Sequence, residues 1–220
     1  MVIQSRFDAQ IPKCSIQTWL FGSSSGPLHQ GDSKAWIDAD NPEDRFLTFS
    51  AARLLAKRIA IGLIDAGLNP SDRVLVVSEN SVVFPTLMLG VWMAGGIFTG
   101  ANPCLNTREL TFQLRDSQAK FVFASEACWK VAHEAAILVR LPPEQVFLVD
   151  GSIPDLDFIV GLDAPLPKQH WARFWAPVER AEIFEWMEPD DARQTTCTLN
   201  YSSGTVRCAL FLHPHGPRSS

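Results

Sequence analysis

Val74-Leu75-Val76-Val77 is a run of four apolar residues without a polar break, set between Asp72-Arg73 and Ser78-Glu79-Asn80. A strand with one face in water alternates apolar and polar side chains. A strand that is apolar at every position is buried on both faces, as in a parallel sheet covered by helices. Three later runs repeat the pattern: Ile97-Phe98-Thr99, Phe121-Val122-Phe123 and Val146-Phe147-Leu148-Val149. The runs begin about two dozen residues apart, which is the length of a strand, a turn, a helix and a second turn. Ser81 begins the first intervening helix, which tolerates Pro85 near its first turn and ends at Gly95-Gly96. Thr107 caps the second, which carries Leu110 and Leu114 inward and ends near Ser117; Glu126 to Arg140 makes the third. Such connections join parallel neighbours. The expected fold class is α/β, a parallel sheet with covering helices.

Upstream of Val74, Ser50 is expected to cap a helix whose Leu55, Ile59, Leu63 and Ala66 share one face. Gly67 closes it and Pro70 prevents its continuation. Ala35 to Asp38 and Phe46 to Phe49 read as a hairpin around Asp40-Asn41-Pro42-Glu43-Asp44. Downstream of Val149 the pattern loosens. Gly151 to Gln169 is rich in Pro and Asp and reads as a surface connection. Trp171, Phe174, Trp175, Phe184 and Trp186 then crowd into one segment, read as a helix or two lying across the sheet. Thr195 to Leu199 is a last strand candidate.

Composition narrows the function classes. Of the 220 residues, 46% are hydrophobic and 20% charged, which suits a folded soluble domain rather than a disordered chain. The net charge of −5 and the lack of a basic stripe argue against nucleic acid as a partner. Five cysteines are scattered without a Cys-x-x-Cys pair, so reduced thiols in a cytoplasmic setting are expected rather than disulfides or zinc. The N-terminal residues carry no apolar signal segment, and Pro-Arg-Ser-Ser at the end is not a Ser-Lys-Leu peroxisomal address. Val82 to Phe98 approaches a membrane span in length. Pro85, Gly90, Gly95 and Gly96 within it favour a buried helix followed by a buried strand, and no membrane span is expected.

The strand candidate at Leu199 leads into Asn200-Tyr201-Ser202-Ser203-Gly204-Thr205. Gly204 lets backbone N–H groups come close to a ligand, and Ser202, Ser203 and Thr205 add hydroxyl donors, a composition that suits phosphate. With the rest of the chain, the loop completes an ordered series: Asp72-Arg73-Val74, Asn80-Ser81, Gly95 to Pro103, Arg108-Glu109-Leu110, Gln113 to Ser117, Pro189-Asp190-Asp191, and Tyr201 to Thr205.

That series resembles the N-terminal domain of adenylate-forming enzymes, and within them the 4-coumarate–CoA ligase-like acyl-CoA ligases. The resemblance runs from about Gln17 to Thr205. It implies a carboxylic acid substrate, ATP, magnesium and coenzyme A, with Ser202, Ser203, Gly204 and Thr205 contacting the nucleotide. It also implies that the chain is the front part of that domain, since the family's acyl pocket, magnesium carboxylate and catalytic lysine lie in later segments. After Thr205 the family's Thr-Gly-x-Pro-Lys-Gly gives way to Val206-Arg207-Cys208-Ala209-Leu210. The expected organisation is therefore a partial nucleotide-binding domain over residues 1–205 and an unrelated tail over 206–220, set by a frame change or retained intron. Expected consequences are inactivity of the chain alone, no tight binding of any of the three cofactors, and self-association through an exposed sheet edge. The alternatives are a catalytically dead protein-interaction module or a weak nucleotide binder.

Overall fold

The computed structural model describes residues 12–28, 32–150 and 169–201, and within them all four apolar runs become strands of one parallel sheet. The connection expected over 151–169 lies almost wholly outside the described residues. Strands β3 (Arg73–Val77), β4 (Ile97–Ala101), β5 (Phe121–Ser125) and β6 (Val146–Val149) are joined by β7 (Thr198–Leu199) in the order β6-β5-β3-β4-β7. Every pairing is parallel. Ahead of the sheet, β1 (Lys34–Ile37) and β2 (Phe46–Thr48) form the expected antiparallel hairpin.

Burial explains the unbroken apolar runs. Val74, Val76, Phe98, Phe121, Phe123, Phe147 and Val149 enter one core, while Leu75, Val77, Ala101, Val122, Ala124 and Val146 enter another. The first core is closed by α2 (Phe49–Asp65) and α3 (Phe84–Met93), and the second by α4 (Thr107–Ser117) and α5 (Trp129–Leu138). Thus α3 carries the chain from β3 to β4 across one face, and α4 carries it back past β3 to β5 across the other. Travel in opposite directions uses opposite faces, as a single hand of crossover requires. The long apolar run from Val82 divides into α3 and β4, and no helix among the described residues is long and apolar enough to cross a membrane.

The aromatic segment lies across the first face as expected. A 3₁₀ turn (Trp171–Phe174) and a short helix α6 (Val178–Ile183) bring Trp171, Trp175 and Trp186 into that core. The backbone N–H of Leu148 donates to the carbonyl of Gln169 at 2.8 Å, so the β6 edge gains a partner.

Helix starts differ from expectation in three places. Thr48, not Ser50, is the N-cap of α2 and accepts from the Ala51 N–H at 3.2 Å. Asn106, not Thr107, caps α4: its side chain accepts from Glu109 N–H at 3.1 Å while Glu109 accepts from Asn106 N–H at 3.0 Å. The capping residue must have extended backbone and a free side-chain oxygen, and a hydroxyl one or two positions later is already helical. Helix α3 begins at Phe84, where Pro85 falls in the first turn, instead of at Ser81. Its far end is as expected: Gly95 takes φ +76°, and Gly96 N–H returns to the Val91 carbonyl.

Candidate functional site

In an open parallel sheet, ligands collect beyond the carboxyl ends of the strands, where neighbouring connections leave in opposite directions. Here that point lies between β3 and β5, since β3 leads to β4 on one side and β5 to β6 on the other. A crevice of about 550 Å³ opens there. Its floor is the residues just past the two strands, Ser78-Glu79-Asn80 and Ser125-Glu126-Ala127, and Asp38 and Arg45 of the β1–β2 hairpin form an overhang.

The crevice is ordered by its own polar groups. Ser125 donates its hydroxyl proton to Glu79 Oε2 at 2.7 Å, and this bond holds the Glu79 carboxyl below its ordinary range. Arg45 Nε lies 3.4 Å from Asp38 Oδ2, which pins the hairpin arms to each other. Three carboxylates (Asp38, Glu79, Glu126) face one guanidinium, so the crevice accepts hydrogen bonds from hydroxyl or amine groups and repels an anion. The Ser125–Glu79 hydroxyl–carboxylate pair ties the ends of β5 and β3 together across the crevice. Behind it, burial pushes the Cys128 thiol up, keeping it protonated beside the Pro103 carbonyl.

The lead-in to the phosphate-type loop is anchored on the last strand of the sheet among the described residues. Ser202, Ser203, Gly204 and Thr205 lie outside the described residues, but their lead-in does not. The Cys197 carbonyl accepts from Phe98 N–H at 2.9 Å and from the Trp92 indole N–H at 2.8 Å. Thr198 and Leu199 then pair with Phe98 and Thr99 of β4. Tyr201 donates its hydroxyl to Asp116 Oδ2 at 2.7 Å. Burial and this bond to a carboxylate push its phenol well above the ordinary range, so it stays a neutral donor. The chain is thus fixed at Cys197, along β7 and at Tyr201 before the loop begins.

Magnesium is a different matter, for no cluster of three His, Cys, Asp or Glu side chains able to hold a metal occurs among the described residues. No step is assigned to a metal bound by them. The crevice residues Asp38, Arg45, Glu79 and Ser125 were not among the sequence candidates. The signal for them is positional: each floor residue directly follows an apolar run.

Comparison with known proteins agrees with this geometry. Residues 27–206 match the family model described as AMP-binding enzyme. The chain is 30% identical over 209 residues to a phenylacetyl-CoA ligase (epaB) of Aspergillus niger, covering 94% of this chain and 36% of the relative. It is 32% identical over 202 residues to 4-coumarate–CoA ligase 1 of Petroselinum crispum, covering 90% of this chain and 32% of the relative. The chain therefore spans about a third of the length of the curated relatives it matches. Among solved structures, apo MatB from Rhodopseudomonas palustris superposes with a TM-score of 0.60 at 20% identity, covering 86% of this chain and 33% of that one. The likeness there is one of fold.

Proposed function

The chain belongs to the AMP-binding enzyme family, and on that premise we propose that it carries the front of an acyl-CoA ligase's adenylation site. In the reaction proposed for the whole protein, a carboxylate oxygen attacks the α-phosphorus of ATP and pyrophosphate leaves. The coenzyme A sulfur then attacks the acyl carbon and AMP leaves. In this reading Ser202, Ser203, Gly204 and Thr205 give hydroxyl and backbone N–H groups to the nucleotide phosphates, and residues 206–220 are a tail that takes no part. What supports it is the double anchoring of the Cys197 carbonyl and the β7–β4 pairing, which aim the chain out of the strand end at the residue where the loop starts.

These 220 residues alone are proposed not to turn over. The described residues hold no metal cluster, and the lysine that the family carries in the loop is replaced by the Val206–Leu210 sequence. One lost preorganised donor costs about 10²–10³ in rate, and the loop lysine is such a donor. The test is acid-dependent pyrophosphate release with phenylacetate and 4-coumarate as the trial acids. Release at the rates of a working ligase overturns inactivity. Equilibrium dialysis with ATP separates the remaining question: binding is expected at about millimolar or weaker and should vanish in Gly204→Val. Retention of binding in that variant removes the loop from the site.

A second reading, a protein-interaction module without catalysis, draws on the coverage of both sheet faces. Cores on either side are closed by helices within the described residues, as a unit that folds around its own sheet needs.

A further inference from the structure

Two cysteines meet at the carboxyl end of the sheet, beside the crevice but outside it. Cys104 lies in the turn between β4 and α4 and is exposed. Cys128 is the N-cap of α5, directly after the crevice residues Ser125-Glu126-Ala127, and is buried. The Cys128 sulfur stands 3.8 Å from the carbonyl oxygen of Pro103. That oxygen and the Cys104 Cα belong to one planar peptide unit, about 3 Å apart. The Cys128 sulfur is therefore within about 7 Å of the Cys104 Cα.

A disulfide places each sulfur about 4 Å from the other residue's Cα. One change of staggered rotamer at Cys128 moves its sulfur by about 3 Å, so the separation is one that side-chain rotation closes with both helices in place. Little holds the sulfurs back. Cys128 makes no capping bond with its side chain, and a thiol is a weak donor to a carbonyl. The Cys104 N–H is bonded only two residues away, to Asn102 Oδ1 at 2.9 Å. The two sulfurs also act on each other. Burial pushes the Cys128 thiol up, a hydrogen bond from Ser125 opposes this, and the charges of Glu79 and Cys104 add to the rise. Cys14 and Cys197 stand elsewhere, lining a cavity with Ser71 and Gly96 ahead of the starts of β3 and β4.

We propose that Cys104 and Cys128 are a thiol–disulfide site, where a reversible intrachain bond forms by exchange with a small disulfide of the glutathione class. Being exposed, Cys104 meets the oxidant first. Its sulfur attacks the small disulfide, one small thiolate leaves and takes up the Cys104 proton, and a mixed disulfide remains. The Cys128 sulfur then attacks the Cys104 sulfur, and the second small thiolate leaves with the Cys128 proton. Two cysteine thiols are oxidised and one small disulfide is reduced to two thiols. The new bond fastens the turn after β4 to the residue that follows the crevice floor. The site does not depend on the ligase reading.

The test is disulfide mapping of the full chain by mass spectrometry, after incubation with oxidised glutathione, acid quench and alkylation. The Cys104–Cys128 linked peptide should exceed any other intrachain link about tenfold, because folding sets a high local concentration of one thiol at the other. Dithiothreitol should remove it, and in urea the preference should disappear. Cys128→Ser should retain glutathione on Cys104, whereas Cys104→Ser should leave Cys128 a free thiol. Circular dichroism identifies a variant that has lost the fold, in which case the unsubstituted chain decides alone. Cys128 remaining a free thiol in the unsubstituted chain overturns the proposal. So does Cys128 linked mainly to Cys14, Cys197 or Cys208, or a Cys104–Cys128 yield no greater in the folded chain than in urea.

Discussion

Replacing Gly90 with alanine sets two known effects against each other. Gly90 lies in the middle of α3, and alanine there is favoured by about 1 kcal/mol of helix propensity. The position is also where α3 meets α2. A Cβ at residue 90 would stand 2.7 Å from Ile59 Cγ2, 2.8 Å from Ile59 Cβ and 3.0 Å from the Ala56 carbonyl oxygen. Carbon atoms pack best at about 3.5–4.0 Å, so the shortfall is close to an ångström. The obstacle cannot swing away, because Ile59 is fully buried and the atoms concerned are its branch point and a backbone oxygen. Overpacking of this kind costs about 1–3 kcal/mol, and at most positions in that range it exceeds the propensity gain. A net loss of up to about 2 kcal/mol is expected, a factor of up to about 30 in opening. Hydrogen exchange of the α2 amides from Ile59 to Leu63 measures this directly, whether or not the whole chain melts in one step. In Gly100→Ala the added Cβ meets only Phe98, at 3.4 Å or more, so those α2 amides should exchange at close to their original rate. Slower exchange of the α2 amides in Gly90→Ala would refute the packing argument and leave propensity in charge.

Three further outcomes follow from the lead-in, the edge and the Glu188 carboxylate. Trp92→Phe removes the indole donor to the Cys197 carbonyl and should weaken the hold on β7 by about 1 kcal/mol, seen as faster proteolysis between Cys197 and Tyr201; unchanged cleavage sinks the anchoring role. The Cys197 carbonyl faces β4, so the Thr198 N–H and carbonyl point outward from the last strand of the sheet among the described residues. Thr198→Pro should therefore reduce self-association in sedimentation, and a chain that is already a monomer before the change counts against edge pairing. The Glu188 carboxyl is depressed in the folded chain, so its contribution is present above the unfolded value of about 4.3 and is lost as pH falls through the lower folded value. Glu188 accepts from the N–H and hydroxyl of Ser15, the N-cap of helix α1 (Ile16–Phe21), so protection of the α1 amides should fall in that acidic window and not in Glu188→Gln; an identical pH response in the variant refutes the role of this carboxylate.

What the sequence made legible was decided at short range. Val74 to Val77 is apolar throughout because each residue enters one core or the other, so the double burial was written in four adjacent letters. Sequence places the caps one or two residues late, at Ser50 and Thr107, because a hydroxyl near a helix start is visible in sequence whereas the extended backbone that makes Thr48 or Asn106 the cap is not. Strand order was beyond reach for a different reason. Whether β5 lies beyond β4 or back past β3 depends on which face α4 covers, and that is settled by the packing of Leu110 and Leu114 against Leu75 and Val122.

Sites follow the same rule of range. The loop at Ser202 was legible because its donors are neighbours in sequence, while the crevice joins Asp38, Glu79 and Ser125 from three separate segments. The bond between Ser15 and Glu188 is the extreme case, since its two residues lie 173 positions apart.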